Sequence, residues 1–230
     1  MISRLRTSPD AVHLGLMLAL TFSTGVVDAV GFLGLDRVFT GNMTGNVVIL
    51  AMALTRANGL PIVGPVVALL LFLLGATIAG RVLRKQPAGW SPRTTVLLAV
   101  VAVILIATTI TALATSAPRN EIVALAITGA LGVAMGMQGG TARQIGVKDV
   151  TTVVVTSTLV GLAFDSRFAG RNPAQQWKRR LGAVVLIAAG AATGALLLRS
   201  NLALGVLLAA VVTLVVAVIG HIARPHSTKQ

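Results

Sequence analysis

Apolar runs of about twenty residues recur along the whole of this 230-residue chain, and no other property restricts its fold so severely. A run of that length crosses the hydrocarbon core of a bilayer as a helix. Only helices and closed barrels can cross without stranding backbone polar groups in lipid. The runs fall at about 11–35, 41–57, 62–83, 94–115, 121–140, 150–164, 181–198 and 202–222. Hydrophobic residues make up 55 % and charged residues 11 %, the latter about half of what a soluble domain carries. No stretch is long or polar enough for a separate soluble unit, so residues 1–230 read as a single all-α membrane domain. Pro9, Pro61, Pro65, Pro87, Pro92, Pro118, Pro173 and Pro225 fall in loops or first turns, where a missing N–H does no harm. The run after Arg4 and Arg6 is too long for a signal-peptide core and reads as a retained helix.

Six of the eight runs are long enough to span; the second and sixth are short and rich in Thr, Gly or Asn. Charge decides how those two are placed, because Lys and Arg accumulate in cytoplasmic loops. If all eight span from a cytoplasmic N-terminus, 11 of the 19 basic residues lie inside and 8 outside. If the two short runs return to the side they came from, only Arg37, Arg56, Arg119 and Arg199 lie outside, which leaves 15 inside against 4. The expectation is therefore six transmembrane helices plus two re-entrant segments, both termini cytoplasmic, in the plasma membrane.

That arrangement makes the halves, approximately 11–115 and 121–222, a 3+3 inverted repeat. Thr44, Val48, Leu50 and Ala51 recur as Thr156, Val160, Leu162 and Ala163, and Gly75, Ala76 and Arg84 as Gly190, Ala191 and Arg199. Paired short, interrupted segments at corresponding positions point to a midplane binding site in repeat-built transporters.

The net charge of +13 does not indicate nucleic acid. The basic residues sit in short loops, and with no Tyr and only Trp90 and Trp177 there is no stacking platform. The absence of cysteine excludes disulfides and thiolate chemistry. His13, His221 and His226 have no metal-ligand spacing, and neither catalytic nor phosphate-binding motifs occur. No cofactor, metal or enzymatic activity is expected.

Two features carry the functional reading. Asp28 lies inside the first span, where a carboxylate costs roughly 2.5–3.5 kcal/mol on insertion scales and must face protein or a wet cavity. It either binds a proton, cation or amine, or packs by hydrogen bonding to nearby Thr or Asn. The second feature is Phe39-Thr-Gly-Asn-Met-Thr-Gly-Asn46. Thr40 or Asn42 can cap a helix running on to Leu54. A helix starting within the membrane presents unpaired N–H groups and a partial positive charge. Asn42, Thr44 and Asn46 add donors and acceptors. Gly41 and Gly45 read equally as a small-xxx-small contact that lets helices touch.

In the second half, Thr151-Thr-Val-Val-Val-Thr-Ser-Thr158 is a hydroxyl-rich counterpart, or a set of hydroxyls bonded back to helix carbonyls. Gln138 is the loose counterpart of Asp28, and Gly132, Gly136 and Gly140 read as close packing. Arg81, Arg84, Lys85 and Trp177-Lys-Arg-Arg180 read as anchors against anionic headgroups. The expected substrate-binding set is Asp28, Thr40, Asn42, Thr44, Asn46, Gln138, Thr152 and Thr156.

These residues also carry a resemblance. Asp28-Ala-Val-Gly-Phe-Leu33, then Val38-Phe-Thr-Gly-Asn-Met-Thr-Gly-Asn46, and later Met135-Gly-Met-Gln138 with Thr151-Thr152, resemble the YoaK-like family of uncharacterised bacterial multi-pass membrane proteins. The resemblance covers most of the chain and implies about six spans, without an established substrate. That family's second motif ends Gln-Asn, whereas Gly139 follows Gln138 here.

The function expected is a small-solute transporter or channel-like protein with a midplane site near Asp28 and residues 39–46. The alternative is a non-transporting membrane protein that binds a lipid or a partner, with the polar motif serving helix packing. The partners expected are the lipid bilayer and a small solute, not nucleic acid. A homo-oligomer is compatible with the sequence.

Overall fold

The computed structural model describes residues 9–56, 59–115, 120–147, 155–166 and 176–224. Eight helices lie among them: α1 (Pro9–Gly34), α2 (Met43–Leu54), α3 (Val63–Leu83), α4 (Pro92–Ala114), α5 (Glu121–Ile145), α6 (Val155–Phe164), α7 (Gln176–Leu198) and α8 (Leu202–Ala223). Six of them are long and apolar enough to cross a bilayer, and α2 and α6 are the short ones. The expected all-α membrane architecture is borne out.

Local chemistry sets the helix ends. Ser91 and Thr94 form a capping box around Pro92, the first residue of α4. Asn42, Asn120 and Asn201 cap α2, α5 and α8 through their side-chain oxygens. The fifth apolar run was expected to stop near 140, yet α5 continues to Ile145. Its added turn buries Thr141, Ala142 and Ile145, and Gly146 closes it in the left-handed region at φ 69°. Packing of the last turn, not its hydropathy, extends the helix.

The first end of the bundle is marked by His13, which stacks on Trp90 with ring centroids 5.7 Å apart. Gln144 Nε2 donates to the carbonyls of Gln86 and Pro87 at 2.9 and 3.0 Å, tying the end of α5 to the loop after α3. This is the terminal face. At the far face, Gly34 ends α1 against Leu198 and Leu202. There Gly34 and Asp36 share a cavity of about 510 Å³ with Ile62 and Gly64 at the start of α3 and with Glu121 at the start of α5. Thus α1 ends, and α3 begins, at the far face, so α2 leaves and returns on one side. Likewise α5 ends at the terminal face and α7 starts there, Gly182 lying beside Leu18, so α6 also returns.

The main helix contacts are α1 with α5, α7 and α8; α5 with α3 and α4; α4 with α3 and α8; α7 with α6 and α8; and α2 with α3. The tightest crossings rest on glycine. A Cβ on Gly25 would collide with the Ile187 carbonyl of α7, and one on Gly136 with the Phe72 carbonyl of α3. Backbone-to-backbone approach of this kind substitutes for the hydrophobic drive that lipid removes. Large side chains such as Leu70, Leu73, Val103 and Val211 point outward, as lipid contact requires.

Candidate functional site: a cavity at mid-depth

Asp28 sits six residues before the end of α1 and is 8 % exposed. The chain turns at the far face and descends along α1. Its Oδ1 accepts the backbone N–H groups of Thr40, Gly41 and Asn42 at 3.0, 2.7 and 3.3 Å. Gly41 reaches as deep as Thr24: a Cβ there would lie 2.7 Å from the Thr24 methyl and 3.3 Å from Asp28 Oδ1. Thr24 is ten residues from Gly34, roughly 15 Å along the axis, near the middle of the 24-residue apolar span Ala11–Gly34. From that depth α2 rises 12 residues back to the far face, about 18 Å.

The octapeptide holds itself in this turn. Asn46 is buried, accepts the Phe39 N–H through Oδ1 at 2.9 Å and donates Nδ2 to the Phe39 carbonyl at 2.5 Å. Asn42 Oδ1 accepts the Gly45 N–H at 3.3 Å and so caps α2. The Phe39 ring stacks on Phe32 of α1 with centroids 4.8 Å apart.

The second short helix arrives from the other side. At its C-terminal end Arg180 of α7 donates to the Gly161 carbonyl at 2.7 Å and pairs with Asp165 at 2.6 Å. A cation there satisfies the carbonyl end of α6 and its partial negative charge. Arg180 was expected to anchor on headgroups; it is only 13 % exposed and is engaged with α6 instead. The N-terminal residues of α6, Val155 and Thr156, line the same cavity as Thr24, Asp28, Asn42 and Thr44. That cavity has a volume of about 710 Å³, and Phe32, Phe39 and Ile187 close its apolar side.

Of the residues expected from the sequence, Asp28, Asn42, Thr44 and Thr156 come together on this cavity. Thr40 contributes its backbone N–H, while its side chain is fully buried and does not line the space. Asn46 is engaged within the turn. Gln138 lies across the α1–α5 contact, donating Nε2 to Thr24 Oγ1 at 3.1 Å, and does not reach the cavity. Thr152 lies outside the described residues. Thr24 was not anticipated, although its position one turn before Asp28 puts both on one helix face. Phe32, four residues after Asp28, carried the same signal.

Six spanning helices with two half-helices, whose N-terminal ends reach one cavity at mid-depth, define a multi-pass α-helical membrane protein. The chain belongs to the family described as "Protein of unknown function (DUF1275)", whose model matches residues 16–219. It is also similar to the UPF0700 transmembrane protein YoaK of Bacillus subtilis (strain 168), at 30 % identity over 152 residues. That match covers 65 % of this chain and 65 % of the relative's length. The resemblance seen in the motifs is thereby borne out. No solved structure matches the chain.

Proposed function

We propose that the chain is a small-solute transporter or channel-like protein of the plasma membrane, with both termini cytoplasmic. The observation that carries this reading is one cavity of about 710 Å³ lined by Asp28 and by the N-terminal residues of two half-helices. Irregular backbone at membrane depth is tolerated where it lines such a space, and discontinuous helices are how carriers build midplane sites. The placement of the termini rests on the sequence count of basic residues, 15 inside against 4 outside when both short segments return to the side they came from. An enzyme is disfavoured, because the described lining residues put no base, and no nucleophile activated by one, across the cavity from Asp28.

The contact pattern supports reading the two halves as an inverted repeat. Exchanging α1 with α5, α2 with α6, α3 with α7 and α4 with α8 returns the same set of main helix contacts. The collision of Gly25 with Ile187 and Ala191 corresponds to that of Gly136 with Phe72 and Ala76. In this register Asp28 is matched by Gly139, not by Gln138, so on this reading only the first half carries a carboxylate there.

The test is osmotic: purified protein in liposomes, challenged with a panel of small solutes, should speed recovery from shrinkage for at least one of them. Thr156→Trp, on the exposed N-terminal turn of α6, should abolish the effect. If no solute moves faster than in protein-free liposomes, the transport reading fails. The second reading, a packing knot in a lipid- or partner-binding protein, is favoured by the self-contained bonding of Asn46 with Phe39. It expects that Asp28, Asn42 and Thr44 variants alter folded yield and never flux.

A further inference from the structure

We propose that the mid-depth cavity receives a small primary ammonium compound, its cationic head on Asp28; this rests on the cavity being a solute site, as proposed above. Asp28 Oδ1 is taken by three N–H groups, and its other oxygen has no hydrogen-bond partner among the described residues. The side chain is more than nine-tenths buried and lines the cavity. A carboxylate withdrawn from water in this way is stabilised as the anion by a countercharge beside it. None of the described lining residues supplies one, for Lys, Arg and His are all absent from them.

That absence is informative because the chain has 19 basic and 6 acidic residues. The far-face cavity is similar: Asp36 and Glu121 line it, and none of its described lining residues is basic. In a chain of net charge +13, both hollows carry carboxylates and no Lys, Arg or His among their described lining residues. The helix N-termini argue for anions, but each carries only about half a charge. On α2 the Asn42 cap and the Asp28 carboxylate already engage that end. The Asp28 carboxylate is the one ionisable group on the described lining of this cavity.

The remaining lining suits an ammonium group with three donors. Thr44 Oγ1 has no hydrogen bond among the described residues, whereas Thr21, Thr24, Thr108 and Thr213 all bond back to the carbonyl four residues earlier. Its hydroxyl, the second lone pair of Asn42 Oδ1 and the free oxygen of Asp28 offer three acceptors. The Phe32 and Phe39 pair adds aromatic faces, which attract organic cations. Sodium prefers a closed cage of oxygens, which this mostly apolar lining does not provide.

Thermal unfolding of the purified full chain tests the assignment, with ethylammonium chloride against sodium chloride and sodium acetate at equal ionic strength. Ethylammonium alone should raise the midpoint. Asp28→Asn keeps an Oδ1 acceptor for the three N–H groups and removes the charge. It should weaken apparent affinity about tenfold or more, as loss of a charge-assisted bond does. Phe32→Leu should weaken it about threefold. If Asp28→Asn does not fold, Phe32→Leu and Thr44→Val carry the same test. An equal shift with sodium, a shift with acetate, a shift unchanged in these variants, or no shift overturns the assignment. An acetate shift, or osmotic flux of other solutes, would remove the ammonium assignment and leave the solute-site reading standing. Neither binding nor flux for any solute would sink both.

Discussion

Asp28 does two jobs that pull in different directions. One oxygen organises the descent of residues 40–42, and the other faces the cavity. The first job predicts a sharp difference between two substitutions. Asp28→Ala leaves three N–H groups without an acceptor, at about 1–3 kcal/mol for each that stays buried, and should largely abolish monodisperse protein on size-exclusion chromatography. Asp28→Asn retains the acceptor and should elute as wild type. Equal behaviour of the two would mean that the carboxylate does not hold the turn. The pairing of Asp28 with the octapeptide was legible in the sequence, because a polar turn so close in the chain could satisfy a membrane-embedded carboxylate. The roles of Asn42 and Asn46 were not. Both are amides in one motif, and only the fold decides that Asn46 turns inward onto Phe39 while Asn42 stays exposed at the cavity.

Among the elements, the short helices depend on what they lean against. α2 packs on α3, and α6 packs on α7, so neither is covered as a spanning helix in the middle of the bundle would be. The long pairs α1–α7 and α3–α5 close on glycine. Gly136→Val puts a side chain where the Phe72 carbonyl and the Ala76 N–H already lie. Backbone cannot yield there as a flexible side chain would, so the cost should exceed about 4 kcal/mol and the variant should fail to give a folded monomer. Gly15→Val, at a glycine whose Cβ meets nothing within 4 Å, is the control and should unfold within about 1 kcal/mol of wild type. The four-residue spacing of Gly132, Gly136 and Gly140 already suggested close packing. Which helix they meet was hidden, since spacing marks a face and not its neighbour. Arg180 shows the same limit: a basic cluster beside an apolar run reads as a headgroup anchor, and α6 is not visible as its partner along the chain.

At the scale of the whole molecule, the arrangement of α2 and α6 decides which loops share a side. The chain has no cysteine, so single substitutions can be labelled without a background. Thr55→Cys should react with a membrane-impermeant maleimide from outside intact cells. Gln86→Cys and Lys148→Cys should react only after permeabilisation. Eight full spans would reverse all three, and that result would remove the cytoplasmic placement of the termini together with the repeat.

Hydropathy, proline placement and charge asymmetry by themselves determined the membrane class, the number of spans and the shortness of two segments. Those properties follow from the cost of carrying each residue into lipid, and that cost is local to the chain. Tertiary structure alone decided that the two half-helices reach one cavity from opposite faces. It also decided that Asp28, Asn42, Thr44 and Thr156 share that cavity while Gln138 does not. Convergence depends on helix rotation and register, which are set by backbone contacts between glycine-lined helices far apart in sequence. In a chain built so heavily from Ala, Val, Leu and Gly, many registers look alike until those contacts form.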